Sequence, residues 1–103
     1  MKPTHGAELV MSVLYKEFLS RQKNGFSRSD AVKFESAEIL QSTLFSDRPL
    51  QDIEPAIDEL KSLNYVKTNI LGNIFLTDKS ISIMENRFKN GLVEVLDFVS
   101  KFI

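Results

Sequence analysis

The chain of 103 residues contains no cysteine and only one histidine, His5. Without cysteine there is no disulfide framework, thiolate nucleophile or cysteine metal site, and one histidine cannot build a histidine-rich one. Four glycines and three prolines are too few for a flexible linker, and there is no low-complexity tract or internal repeat, so one domain is expected over residues 1–103. No run approaches the roughly 18 apolar residues of a membrane span, and MKPTHGAELV lacks the basic-then-apolar layout of a leader. A cytoplasmic location away from membranes is the expectation. Charge of one sign is also missing: 13 Lys+Arg against 14 Asp+Glu leave a net charge of -1, which argues against a general nucleic-acid or membrane-surface binder. No GxxxxGK[ST], GxGxxG, HExxH or GxSxG occurs, and pairs such as Asp58 with Glu59 or Glu94 with Asp97 fall opposite the apolar stripes, where solvent explains them. The expectation is a protein that is not an enzyme and uses no metal or cofactor.

What the chain does have is hydrophobic rhythm. Val10, Leu14 and Phe18 recur at steps of four with Val13 beside them, and Met11 and Tyr15 widen the stripe. They predict a first helix with Thr4 as N-cap and Asn24-Gly25 as its stop. Ser27 and Asp30 resemble a capping box, which predicts a second helix over about 28–45 through Ala31, Val32, Phe34, Ile39, Leu40 and Leu44, with a kink near 35 where Ser36 offers a second cap. After a turn at Ser46-Asp47-Arg48-Pro49, the positions Ile53, Ile57, Leu60 and Leu63 predict a third helix. An N-cap at Asp52 puts Pro55 at its third position, where a proline is tolerated. Residues 65–70 and 74–77 then alternate around Gly72-Asn73 and predict a β-hairpin, and Thr77 or Asp78 caps a last helical region.

In that last region Ile81, Met84, Phe88, Val95, Phe98 and Phe102 form an a/d heptad seam interrupted at Gly91, so it is one long helix or two broken there. Beyond Gly91 the chain is apolar nearly all round and must be covered. Two solutions are open: a symmetric homodimer through Leu92, Val95, Leu96, Val99 and Phe102, or a fold back onto the first helix.

The order of three helices, hairpin and terminal helix is that of a winged helix-turn-helix, a mainly α (α+β) fold. The run Leu60, Leu63, Asn64, Tyr65, Val66, followed by Leu76, Thr77, Asp78, Lys79, Ser80, Ile81, resembles the YjcQ-type group of bacterial and phage winged-helix proteins. The likeness covers about residues 53–88 well, the first helix loosely and the second hardly at all; Ser80 stands where the group usually has glycine. It implies DNA binding as the default function, and, joined to the homodimer reading of the terminal helix, a transcriptional regulator acting as a dimer. The residues answer unevenly. The third helix carries Asp52, Glu54, Asp58 and Glu59 against Lys61 alone, the wrong sign for a helix that must pass two lines of phosphates. Arg28, Lys33, Arg48 and Lys67 are the candidate phosphate contacts. The alternative is a protein-protein interaction module without DNA, using the acidic third helix and the apolar C-terminal helix. The net charge hides a division: residues 35–63 hold seven carboxylates and two cations, while residues 1–34 hold six cations and three carboxylates.

Overall fold

The computed structural model describes residues 3–35 and 50–101. The expected continuation of the second helix beyond 35, with Arg48 and Phe102, lies outside them. The first helix, α1 (His5–Lys23), starts as its sequence predicts: Thr4 is the N-cap and its Oγ1 accepts the Ala7 amide at 3.4 Å. All six expected stripe residues are buried, and so are Leu9 and Ser12. Ser12 is tolerated in the core because its hydroxyl donates to the Glu8 carbonyl at 2.8 Å. α1 stops at Asn24, and Gly25 takes φ +91°, the left-handed conformation that glycine adopts without a Cβ clash.

A single turn, α2 (Arg28–Ala31), follows, with Ser27 accepting the Asp30 amide at 3.3 Å. The predicted helix over 28–45 is wrong at its next step. The chain leaves the helix after Ala31 and enters a short strand, β1 (Lys33–Phe34). The Val32 carbonyl accepts from the Leu76 amide at 3.0 Å, and Phe34 is fully buried. Local periodicity favoured a helix, but a strand partner from distant sequence supplies the backbone bonds and a pocket for the ring.

The next helix, α3 (Leu50–Ser62), buries Ile53, Ala56, Ile57 and Leu60. It begins before Asp52, so Asp52 is not its cap and Pro55 lies inside the helix instead of in its third position. The amide missing at Pro55 leaves the carbonyl of residue 51 without its helical donor. α3 closes with the Tyr65 amide on the Leu60 carbonyl at 2.8 Å and Asn64 at φ 64°. Strands β2 (Val66–Thr68) and β3 (Ile74–Leu76) then form the expected hairpin, and β1 joins the other edge to give an antiparallel sheet of order β1-β3-β2. Val66, Ile74, Leu76 and Phe34 point into the core.

Thr77 caps α4 (Asp78–Arg87), accepting the Ser80 amide at 3.2 Å while donating to the Asn64 carbonyl at 2.7 Å. Ser80 is fully buried, so only a small side chain fits there. The heptad seam breaks at Gly91, φ +69°, and α5 (Leu92–Ser100) turns back onto α1. Val95 and Val99 are buried in one cluster with Ile81, Met84 and Phe88. Tyr15 stacks between Phe18 and Phe88 at 6.0 and 6.3 Å, and Phe88 meets Phe98 at 5.5 Å. Burial, with a smaller push from Glu85, raises the Tyr15 pKa above the ordinary tyrosine value. The domain is mainly helical with a small antiparallel sheet, and no helix among the described residues is long and apolar enough to cross a membrane.

Leu60→Ala leaves a cavity at a fully buried site and is expected to cost about 2–5 kcal/mol in urea unfolding. Gly91→Ala meets no neighbouring atom but forces a left-handed alanine, and is expected to cost about 1–2 kcal/mol in the same assay. Tyr15 stabilises the fold fully below its unfolded pKa of about 10, and that contribution falls as pH rises towards its higher folded value. Urea midpoints measured across the alkaline range should therefore drop, and Tyr15→Phe should flatten the drop.

Candidate interaction face

α3 and the hairpin present one continuous surface. Glu54 and Asp58, one turn apart, are exposed on α3, with Lys61 a further turn on. Between this helix and the hairpin lies a cleft of about 310 Å³, lined by these three side chains, Ile57 and Ile74, and by Thr68, Asn69 and Gly72. Ile57 and Ile74 belong to the core, so the cleft has an apolar floor beneath an acidic rim. Glu59 is not part of that rim. Its carboxylate accepts the Thr4 amide at 2.5 Å and the Thr4 hydroxyl at 2.8 Å, tying the start of α1 to α3.

The hairpin tip departs from the sequence reading. Asn69 and Ile70 were expected in a strand ending at a Gly72-Asn73 turn, but residues 69–73 form a five-residue loop. The Asn69 Oδ1 accepts the Leu71 amide at 3.1 Å and the Asn73 amide at 2.9 Å, and Gly72 takes φ +83°. This side chain does the work of a backbone turn, and it lifts Ile70 and Leu71 into solvent at 101% and 77% exposure. Two adjacent aliphatic side chains are held out by a fixed loop. Their signal in the sequence was the Asn69 to Gly72 spacing, which marks a loop and not a strand.

Three of the four candidate phosphate contacts, Arg28, Lys33 and Lys67, fall within the described residues. Arg28 is held by Asp78 at 3.1 Å on the α4 side and lies 6.0 Å over the Phe18 ring. Lys33 and Lys67 do come together: both are register partners of Phe75, one from each neighbouring strand, so the three side chains form a row on the outer sheet face. Arg48 lies outside the described residues. Arg21, which sequence reasoning passed over, binds the Lys33 carbonyl at 2.6 Å and sits 4.4 Å over the Phe34 ring, so it braces β1. Of the five proposed interface residues, Val95 and Val99 are core residues of the single chain and Leu92 is half-buried, so the terminal helix takes the fold-back solution. Leu96 is exposed, beside Val93, and Phe102 lies outside the described residues.

Among the described residues no group of three or more His, Asp or Glu side chains is placed to hold a metal ion. Glu94 accepts the Asn90 amide at 3.1 Å and Asp97 pairs with Lys101 at 3.6 Å, so both serve α5 itself. His5 is exposed at the start of α1. No family model, curated protein or solved structure matches this chain.

Asn69→Ala removes the acceptor that organises the tip and should cost about 1 kcal/mol locally. The expected outcome is faster amide exchange at Leu71 and Asn73, with little change in the urea midpoint of the whole domain.

Proposed function

We propose that this is a non-enzymatic winged-helix domain that acts by binding another protein through the α3 and hairpin face. Support for the winged-helix assignment comes from the order helix, strand, helix, hairpin and from the β1-β3-β2 sheet. The observation that carries the functional reading is the chemistry of the cleft: Glu54 and Asp58 on its rim, and Ile70 and Leu71 standing beyond it. DNA docked on α3 and the hairpin would bring phosphates against those two carboxylates. Each such pair is repelled by about 1 kcal/mol at 4 Å in water and about 4 kcal/mol at a partly desolvated surface. An apolar tip beside an acidic rim suits a protein surface with a hydrophobic pocket and basic surroundings.

The test uses duplex DNA and charge reversal on this face. A pool of duplexes at low ionic strength should give no mobility shift with the native chain. Glu54→Lys with Asp58→Lys should create a salt-sensitive one, because the same face is then positive. A shift with the native chain that this reversal leaves unchanged would place DNA elsewhere on the molecule. The observation favouring a DNA-binding regulator is the Lys33, Phe75, Lys67 row, which supplies two cations beside an aromatic ring on the outer sheet face. That reading expects a shift lost in Lys33→Glu with Lys67→Glu. Among the described residues of α5, the exposed apolar side chains open to a homodimer are Val93 and Leu96; a single monomer mass by sedimentation at high concentration would remove it.

A further inference from the structure

A second cavity, of about 460 Å³, lies between the start of α1, Tyr65 and α4. We propose that it binds a small amphiphile, an apolar chain or ring carrying a single carboxylate. This site is separate from the α3 and hairpin face and does not rest on the protein-binding reading.

The volume falls within the roughly 300–1,000 Å³ of small-molecule sites. Its floor is made by Met11 and Met84, both nearly inaccessible, whose unbranched thioether side chains adjust to the shape of an apolar guest. Pro3 and Tyr65 add further wall. Ile83 lines it too, and at 37% exposure it is an aliphatic side chain on α4 that the core does not use. The charged groups at this site are Glu8 and Arg87, joined as an ion pair between α1 and α4. That pair engages Nη1 of Arg87, and the guanidinium is a planar fork with further donors on Nε and Nη2. A carboxylate matches such a fork with two parallel hydrogen bonds, which an alcohol or an amine cannot do. Arg87 is also fixed in place by the rings of Phe98 at 4.6 Å and Phe88 at 5.3 Å, so its head is positioned in advance of any ligand. Glu8 sets the sign of the control: it shares Arg87 with the incoming anion and repels it, so neutralising Glu8 strengthens binding while neutralising Arg87 weakens it.

The chain has three methionines, and two of them line this cavity, so their methyl groups report directly on its occupancy. Protein labelled with 13C at the methionine methyls is titrated with decanoate, decanol and decylamine, each kept below its micelle concentration. Decanoate is expected to shift the Met11 and Met84 methyls saturably and to bind about tenfold more tightly than either neutral or cationic analogue. Arg87→Gln is expected to weaken decanoate about tenfold and Glu8→Gln to tighten it severalfold. Because both replacements break an ion pair, Ile83→Glu provides a third arm: its side chain is partly exposed, the fold should tolerate it, and it should abolish binding by placing a second carboxylate on the wall. The proposal is overturned if no saturable shift of the two methyls appears, if decylamine binds as well as decanoate, or if Glu8→Gln and Ile83→Glu leave decanoate binding unchanged in folded protein.

Discussion

Everything in this domain is arranged around α1, a helix with apolar side chains over most of its circumference. Leu9, Val10, Met11, Val13, Leu14, Tyr15 and Phe18 cover successive angular positions, so no single neighbour can bury them. α5, α3, α2 and α4 each pack against it, which obliges the chain to return to one axis from several directions. The break at Gly91 follows from this demand. A continuous helix through 91 would have carried Val95 and Val99 away from α1, and the left-handed glycine lets α5 reverse and close the last open side.

That arrangement also decides which surfaces are left for function. α3 and the hairpin give their inward residues to the core and keep Glu54, Asp58, Ile70 and Leu71 for solvent. α4 gives Ile81 and Met84 to the core and leaves Ile83 and Arg87 partly exposed beside Met84 at the second cavity. The two cavities have no lining residue in common, and each combines a hydrophobic floor borrowed from the core with a few charged groups at the margin. Acidic residues that look alike in sequence divide by geometry: Glu59 closes a bond to Thr4, Glu8 holds Arg87, Asp78 holds Arg28, while Glu54 and Asp58 line the open cleft.

Local chemistry was the most legible part of the sequence. Thr4, Ser27 and Thr77 are caps because each bonds an amide three residues away, a relation visible in the string itself. The six core positions of α1 were legible for the same reason, while Leu9 and Ser12 were not, because their burial depends on how many neighbours surround the helix. β1 was misread since Phe34 pairs with Ile74, a partner that no window around residue 34 contains. Pro55 was placed too near the helix start by assuming that the fold would avoid an interior proline. The acidic character of α3 was legible and the row of Lys33 with Lys67 was not, because strand register, not spacing, brings them together. The C-terminal stripe was recognised as needing cover, and only the three-dimensional path could choose the cover.

The Thr4 to Glu59 contact joins residues 55 apart, and α5 closes over α1 from the far end of the domain. During synthesis α1 emerges first, yet the helix that completes its enclosure is made last. Until then the side of α1 that α5 will cover faces the ribosome surface, chaperones and other nascent chains. A copy cut short after α4 would keep most of its secondary structure and still display a hydrophobic groove along α1. Quality control would meet that groove as an adhesive surface, so losing the last helix is as much a hazard to neighbouring proteins as a loss of stability.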